Sequence, residues 1–148
     1  MAETDDDAKA IGRLVLLDMY AEVGRAPLNA NKAFGAIYTC VKEGNAAMIF
    51  DGERLVGTLG LVINEFWYSD EPQLVEQWAY LAPDYRGGDA GRALFSAARM
   101  IAHRLGFPHV TMIVFNARRA RATTALAKIG EMFDFRPAGA LITLEAEP

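Results

Sequence analysis

Apolar residues recur at helical spacing over two stretches near the start of the chain and then switch to strand-like runs. Leu16, Met19, Tyr20 and Val23 stand at i, i+3, i+4 and i+7, which places them on one face of a helix. Thr4 followed by Asp5, Asp6 and Asp7 marks its start. A threonine hydroxyl caps unpaired N–H groups, and carboxylates complement the positive end of the helix dipole. Gly24 and Pro27 end this helix. Phe34, Ile37, Tyr38 and Val41 repeat the spacing over a second helix, closed by Gly44. The two are joined by the turn formers between Gly24 and Asn31.

From Ala46 the period changes. Met48-Ile49-Phe50 leads through Asp51-Gly52 to an apolar run from Leu55 to Ile63, and Asp-Gly between two such runs predicts a hairpin. A third strand, about Leu74 to Leu81, follows the turn-like Ser69-Asp70-Glu71-Pro72. The helix after it sets Leu94, Ala98, Ile101 and Leu105 on one face, with Gly106 and Pro108 as its stop. His109 to Phe115 reads as a strand, Arg118 to about Met132 as a helix, and Ala140 to Leu144 as a last strand. The predicted order is ααβββαβαβ, without repeats or linkers.

Composition narrows the class. At 148 residues the chain has the length of one domain, here 1–148, and 52% hydrophobic with 23% charged residues is ordinary for a globular protein. The longest apolar run is too short to span a bilayer, and the acidic start has no signal-peptide pattern, so a cytoplasmic protein with no membrane partner is expected. The single cysteine, Cys40, excludes an internal disulfide or a cysteine-cluster metal site and reads as a buried structural thiol. His103 and His109 lack a second ligand at metal spacing, so no metal is expected. A net charge of −4 argues against nucleic-acid binding.

Between the third strand and the following helix lies Leu81-Ala82-Pro83-Asp84-Tyr85-Arg86-Gly87-Gly88-Asp89-Ala90-Gly91-Arg92. Glycines let a backbone approach a ligand closely, and the first turn of the next helix offers unpaired N–H groups at a positive dipole end. The combination is an anion cradle, with a phosphate or pyrophosphate as its natural guest.

This turn resembles the Arg/Gln-x-x-Gly-x-Gly/Ala signature of the GCN5-related N-acetyltransferases. The element order is similar to that family's along nearly the whole chain. Gly52-Glu53-Arg54-Leu55-Val56-Gly57 is similar to its second hairpin, and Phe135-Arg136-Pro137-Ala138-Gly139-Ala140 to the stretch entering its last strands. The resemblance implies an α+β, three-layer fold with a mixed, mostly antiparallel central sheet flanked by helices. It also implies acetyl-CoA as cosubstrate, lodged where the strands on either side of the cradle helix splay apart, and an amine acceptor, small molecule or peptide, attacking directly. Leu81 and Ala82 would pair through their backbones with the pantetheine arm. N–H groups of Gly87, Gly88, Ala90, Gly91 and Arg92 would surround the pyrophosphate, with Arg86 and Arg92 supplying charge. Asn116 fits two roles, reaching the cofactor arm or capping the helix from Ala117.

Asp89 stands where the family prefers glycine. Its carboxylate either pairs with Arg86 or Arg92 and leaves the cradle usable, or caps the helix and takes the N–H groups a phosphate needs. For catalysis the resemblance points to Glu76 as the base that removes the amine's proton, directly or through water. The plain alternative is a salt-bridged strand residue. A strand bulge shifts such an assignment by one position. The family's acid is a tyrosine shortly before a Gly-Phe near the end of the fourth helix. None occurs in Gly130-Glu131-Met132-Phe133-Asp134-Phe135, which leaves Tyr80, water or another residue. Arg118, Arg119 and Arg121 form a basic cluster that reads as a solvated face or a contact to the 3′-phosphate of CoA. Phe66, Trp67 and Tyr68 read as a packed edge or a homodimer contact. A noncatalytic domain of the same fold, binding acyl-CoA or a protein partner, is the alternative function.

Overall fold

The computed structural model describes residues 1–24, 26–65, 68–86, 88–112, 128, 131 and 132. The first helix begins as expected at α1 (Asp5–Arg13). Thr4 accepts from the Asp7 N–H, and the Asp7 carboxylate accepts from the Thr4 N–H, a reciprocal capping box. Hydrogen bonds from the Glu3 N–H and then the Thr4 N–H hold the Asp7 carboxyl below its ordinary pKa.

The helix continues through a π segment (Leu14–Met19) into the short α2 (Tyr20–Val23). The Tyr20 N–H bonds the Val15 carbonyl, an i to i−5 link that widens the turn. The buried stripe is therefore Ala8, Ile11 and Val15, with Leu16 and Met19 packed at its margin and Tyr20 and Val23 only half-buried. α3 (Ala30–Lys42) starts at Asn29, whose side chain accepts from the Lys32 N–H. It buries Ile37, Cys40 and Val41. Tyr38, expected on that face, is exposed with Lys42 over its ring, and Cys40 takes the inner position.

β1 (Ala46–Asp51) and β2 (Arg54–Glu65) form the expected hairpin, with Gly52 in the left-handed region at φ 58° where the two-residue turn requires it. β3 (Pro72–Leu81) begins two residues earlier than expected and pairs antiparallel with β2. A 3-10 turn (Pro83–Tyr85) leads to α4 (Asp89–Leu105), which buries Leu94, Phe95, Ala98 and Ile101 and ends at Gly106. β4 (Val110–Thr111) pairs parallel with β3 through Leu74↔Val110 and Val75↔Thr111, giving the order β1-β2-β3-β4. The expected later helix and last strand lie outside the described residues, apart from Lys128 and Glu131, which are helical.

The sheet is the middle of three layers. Leu59, Leu61, Leu74 and Leu81 pack under α4 on one face, while Trp78 joins α1 and α3 on the other. The switch between faces is a bulge in β3. Leu61 pairs with Glu76 and Gly60 with Trp78, so Gln77 is the extra residue. A Cβ on Gly60 would run into the Trp78 indole, which lies across that position. The indole N–H donates to the Thr58 hydroxyl at 3.3 Å, and that hydroxyl donates to the Ala47 carbonyl at 2.9 Å, so the buried polar groups of this corner are paired. Among the described residues no helix is long and apolar enough to cross a membrane.

Candidate active site

Strand geometry decides which backbone groups at the end of β3 are free to meet a ligand. The Ala82 N–H donates to the Val56 carbonyl at 2.8 Å and so faces β2. N–H and C=O directions alternate along a strand, so the polar groups of Leu81 face the opposite edge, the one that carries β4 at Leu74 and Val75. The Leu81 carbonyl there accepts from the Arg86 Nε at 2.8 Å.

Arg86 is held on every side. Its two terminal nitrogens donate to the Glu22 carboxylate at 2.6 and 2.5 Å, and its guanidinium lies 5.4 Å from the Tyr80 ring centroid. Both members of the ion pair are largely withdrawn from water, with side chains 22% and 17% exposed. The Arg86 charge is thus compensated within the protein. Glu22 was not among the residues the sequence singled out. Its one signal is its place seven residues after Val15, in line with the buried stripe, where a carboxylate needs a partner.

α4 begins at Gly88, its N-cap, and no side chain caps it. Asp89 is the first helical residue rather than the cap. Its carboxylate is 99% exposed and 3.5 Å from Arg92, so the N–H groups of the first turn are not taken by it. A Cβ at Gly88 would meet nothing within 4 Å, so there is open space in front of the turn. Uncapped N–H donors, open space and the Arg92 charge suit a diphosphate. Ala90 is half-buried and Gly91 buried, each contributing main chain rather than a side chain to this turn. Gly87 and Asn116, like Arg118, Arg119 and Arg121, lie outside the described residues.

On the other flank of the α4 N-terminus, a cleft of about 580 Å³ is lined by Asp51, Val56, Tyr85, Gly88 and Ala93 among others. The Tyr85 hydroxyl donates to Asp51 at 2.9 Å, and Arg54 lies 5.6 Å from the Tyr85 ring centroid. These contacts fasten the β1–β2 hairpin to the cradle.

The two catalytic candidates do not share a face. Glu76 pairs with Leu61 and alternates with Leu74, both under α4, and it is half-buried. Tyr80 lies past the bulge, in step with Trp78, on the helix face beside Arg86. Burial, and next the Glu22 carboxylate, push the Tyr80 phenol above its ordinary pKa. Its proton is therefore firmly held at neutral pH. Among the described residues no three metal-ligating side chains gather, and Tyr68 is exposed while Phe66 and Trp67 lie outside the description.

The chain is a three-layer α+β domain whose third strand leads through Gly88 into an uncapped helix N-terminus. The acetyltransferase (GNAT) family model matches residues 11–130, and the chain belongs to that family. Comparison with curated proteins finds no match. The fold is similar to that of a protein from Thermus thermophilus at TM-score 0.65 and 16% identity, covering 100% of this chain and 96% of that one. It is also similar to an aminoglycoside acetyltransferase from an uncultured soil metagenomic sample, solved with trehalose, at TM-score 0.60, 16% identity and coverages of 98% and 93%. A third similar structure is AAC(6')-Iy in complex with a CoA-linked bisubstrate analogue, at TM-score 0.63, 13% identity and coverages of 97% and 94%.

Proposed function

We propose that the protein is an acetyl-CoA-dependent N-acetyltransferase that passes the acetyl group directly to a primary amine. The observation that carries this reading is the uncapped N-terminus of α4 directly after β3, with Asp89 turned out to solvent. Gly88 and Ala90 would hold the pyrophosphate through main-chain N–H groups, joined by Gly87, whereas the Gly91 and Arg92 N–H groups bond the Gly88 carbonyl at 3.1 and 3.4 Å and close the turn behind them. Arg92 supplies exposed positive charge and Arg86 the support of the turn. Leu81 presents the strand edge to the pantetheine arm, and the Ala82 N–H, spent on β2, fixes that edge in place.

Acetyl-CoA supplies an activated thioester, whose C–S bond breaks as the amine nitrogen forms a C–N bond. The chain must take a proton from the amine and return one to the departing sulfur. Tyr80, beside Arg86 at the end of β3, is the candidate donor. Glu76 is four positions away along β3, roughly 13 Å at strand spacing, and on the other face, so the two side chains do not meet the same reacting atoms and the role of Glu76 as base stands on its own test. The similar structure named as an aminoglycoside acetyltransferase favours an amine acceptor without fixing which one.

Titration with acetyl-CoA and a thiol-release assay over a panel of amines tests the reading. Saturable binding with amine-dependent release of CoA is expected, and no binding at millimolar concentration would sink it. Binding without turnover on any amine would leave a noncatalytic acyl-CoA domain. Glu76→Gln should lower kcat about tenfold or more, within the range of general-base effects, with acetyl-CoA affinity unchanged. The loss should be largest where the amine is protonated. Equal kcat across that pH range would remove Glu76 from the reaction.

A further inference from the structure

The ion pair between Arg86 and Glu22 joins positions 64 residues apart and connects the cradle to a distant helical segment. On one side are the end of β3 and the cradle. On the other is α2, which leads into the segment between the first two helical regions, residues 24–29. Of the salt bridges described with both side chains' exposures, this one is the most withdrawn from water. It sits just past the π segment, the kind of helical irregularity that often accompanies function. The widened turn fixes the orientation in which α2 presents Glu22.

Arg86 uses all three of its nitrogens. Nε holds the Leu81 carbonyl and the other two hold Glu22, so a single planar group sets the path from Leu81 to the glycine turn. Without Glu22, a half-buried guanidinium would lose both charge-assisted bonds and turn toward solvent, releasing Leu81 and the start of the cradle.

We propose that Glu22 is a positioning residue for acetyl-CoA. It acts through Arg86 to hold the backbone from Leu81 to Arg86 in its binding shape, and couples that shape to α2. This rests on the acetyltransferase reading. No bond is made or broken at either residue.

The test measures acetyl-CoA Kd, together with KM for acetyl-CoA and kcat on the best amine of the panel. It compares the wild type with Glu22→Gln, Glu22→Asp, Arg86→Gln and the Glu22→Gln/Arg86→Gln double variant, with circular dichroism confirming the fold. Glu22→Gln and Arg86→Gln should each weaken acetyl-CoA binding about tenfold, as expected for losing a charge-assisted pair. KM should rise more than kcat falls. Glu22→Asp should recover part of the loss, and the double variant should be no worse than Arg86→Gln alone, because both changes break one chain of contacts. Unchanged affinity in Glu22→Gln, or losses that add in the double variant, would overturn the inference. Where Glu22→Gln fails to fold, Arg86→Lys decides: it keeps the charge but not the fork, and undiminished affinity would overturn the inference equally. Absence of binding by the wild type would defeat the acetyltransferase reading and this inference with it. Normal wild-type binding with an unaffected Glu22→Gln defeats this inference alone.

Discussion

Asp89 shows how a single residue's effect depends on where its side chain goes. A carboxylate 5 Å from a phosphate in water-like surroundings would cost about fivefold in affinity per unit charge. Full exposure and the Arg92 contact reduce that further. Asp89→Asn should therefore change acetyl-CoA affinity by less than about threefold at physiological salt, with the difference fading as salt is raised. Calorimetry at two ionic strengths checks it, and a tenfold tightening would mean that the carboxylate faces the ligand. Cys40 is the opposite case. Burial, and then the Glu43 charge, push its thiol from 9.0 up to about 11, and its Sγ donates to the Leu61 carbonyl at 3.4 Å. The folded chain thus keeps a proton that the unfolded chain loses between pH 9 and 11, so this contribution to stability is complete below pH 9 and declines as pH rises through that window. Urea midpoints at pH 8 and 10.5 should differ more for the wild type than for Cys40→Ala.

At the scale of elements, the β3 bulge organises the site. It turns Trp78 and Tyr80 toward the helices and leaves Glu76 under α4, and Gly60 is the position that lets the indole lie flat on β2. Gly60→Ala should destabilise the fold by about 1–3 kcal/mol through overpacking. A urea midpoint equal to the wild type's would show that the indole relocates freely. This element also marks the boundary of what the sequence could tell. Hairpin, strands and the turn into α4 were legible because Asp51-Gly52, the apolar runs and the glycines are local signals that agree with their surroundings. The position of the bulge, a feature the family resemblance anticipates, and the π segment were not, since each is an irregularity of one residue set by tertiary packing. Tyr38 turns outward on α3 for the same reason: it fits a helical stripe, and only the neighbouring layer decides which residues of that stripe turn inward. Arg86 could be assigned to the cradle by the family resemblance. Its commitment to Glu22 could not, because nothing local joins residues so far apart.

For the molecule as a whole, that long-range pair determines how far the effect of a ligand travels. The two cores on either side of the sheet are otherwise linked mainly through the strands themselves, and α2 contributes no fully buried residue to either. Such an element opens locally at low cost, so its amides report on whatever holds it. Acetyl-CoA at a hundred times its Kd stabilises the bound state by about 2.7 kcal/mol. With Arg86 bridging the cradle and Glu22, part of that gain should appear as slower hydrogen exchange in Tyr20–Val23 as well as at the start of α4. In Glu22→Gln, measured at the same saturation rather than the same concentration, protection at α4 should persist while that of Tyr20–Val23 falls back to the unliganded rate. Protection of both segments in the variant would mean that the coupling runs through the sheet, and protection of neither in the wild type would mean that α2 does not sense the cofactor at all.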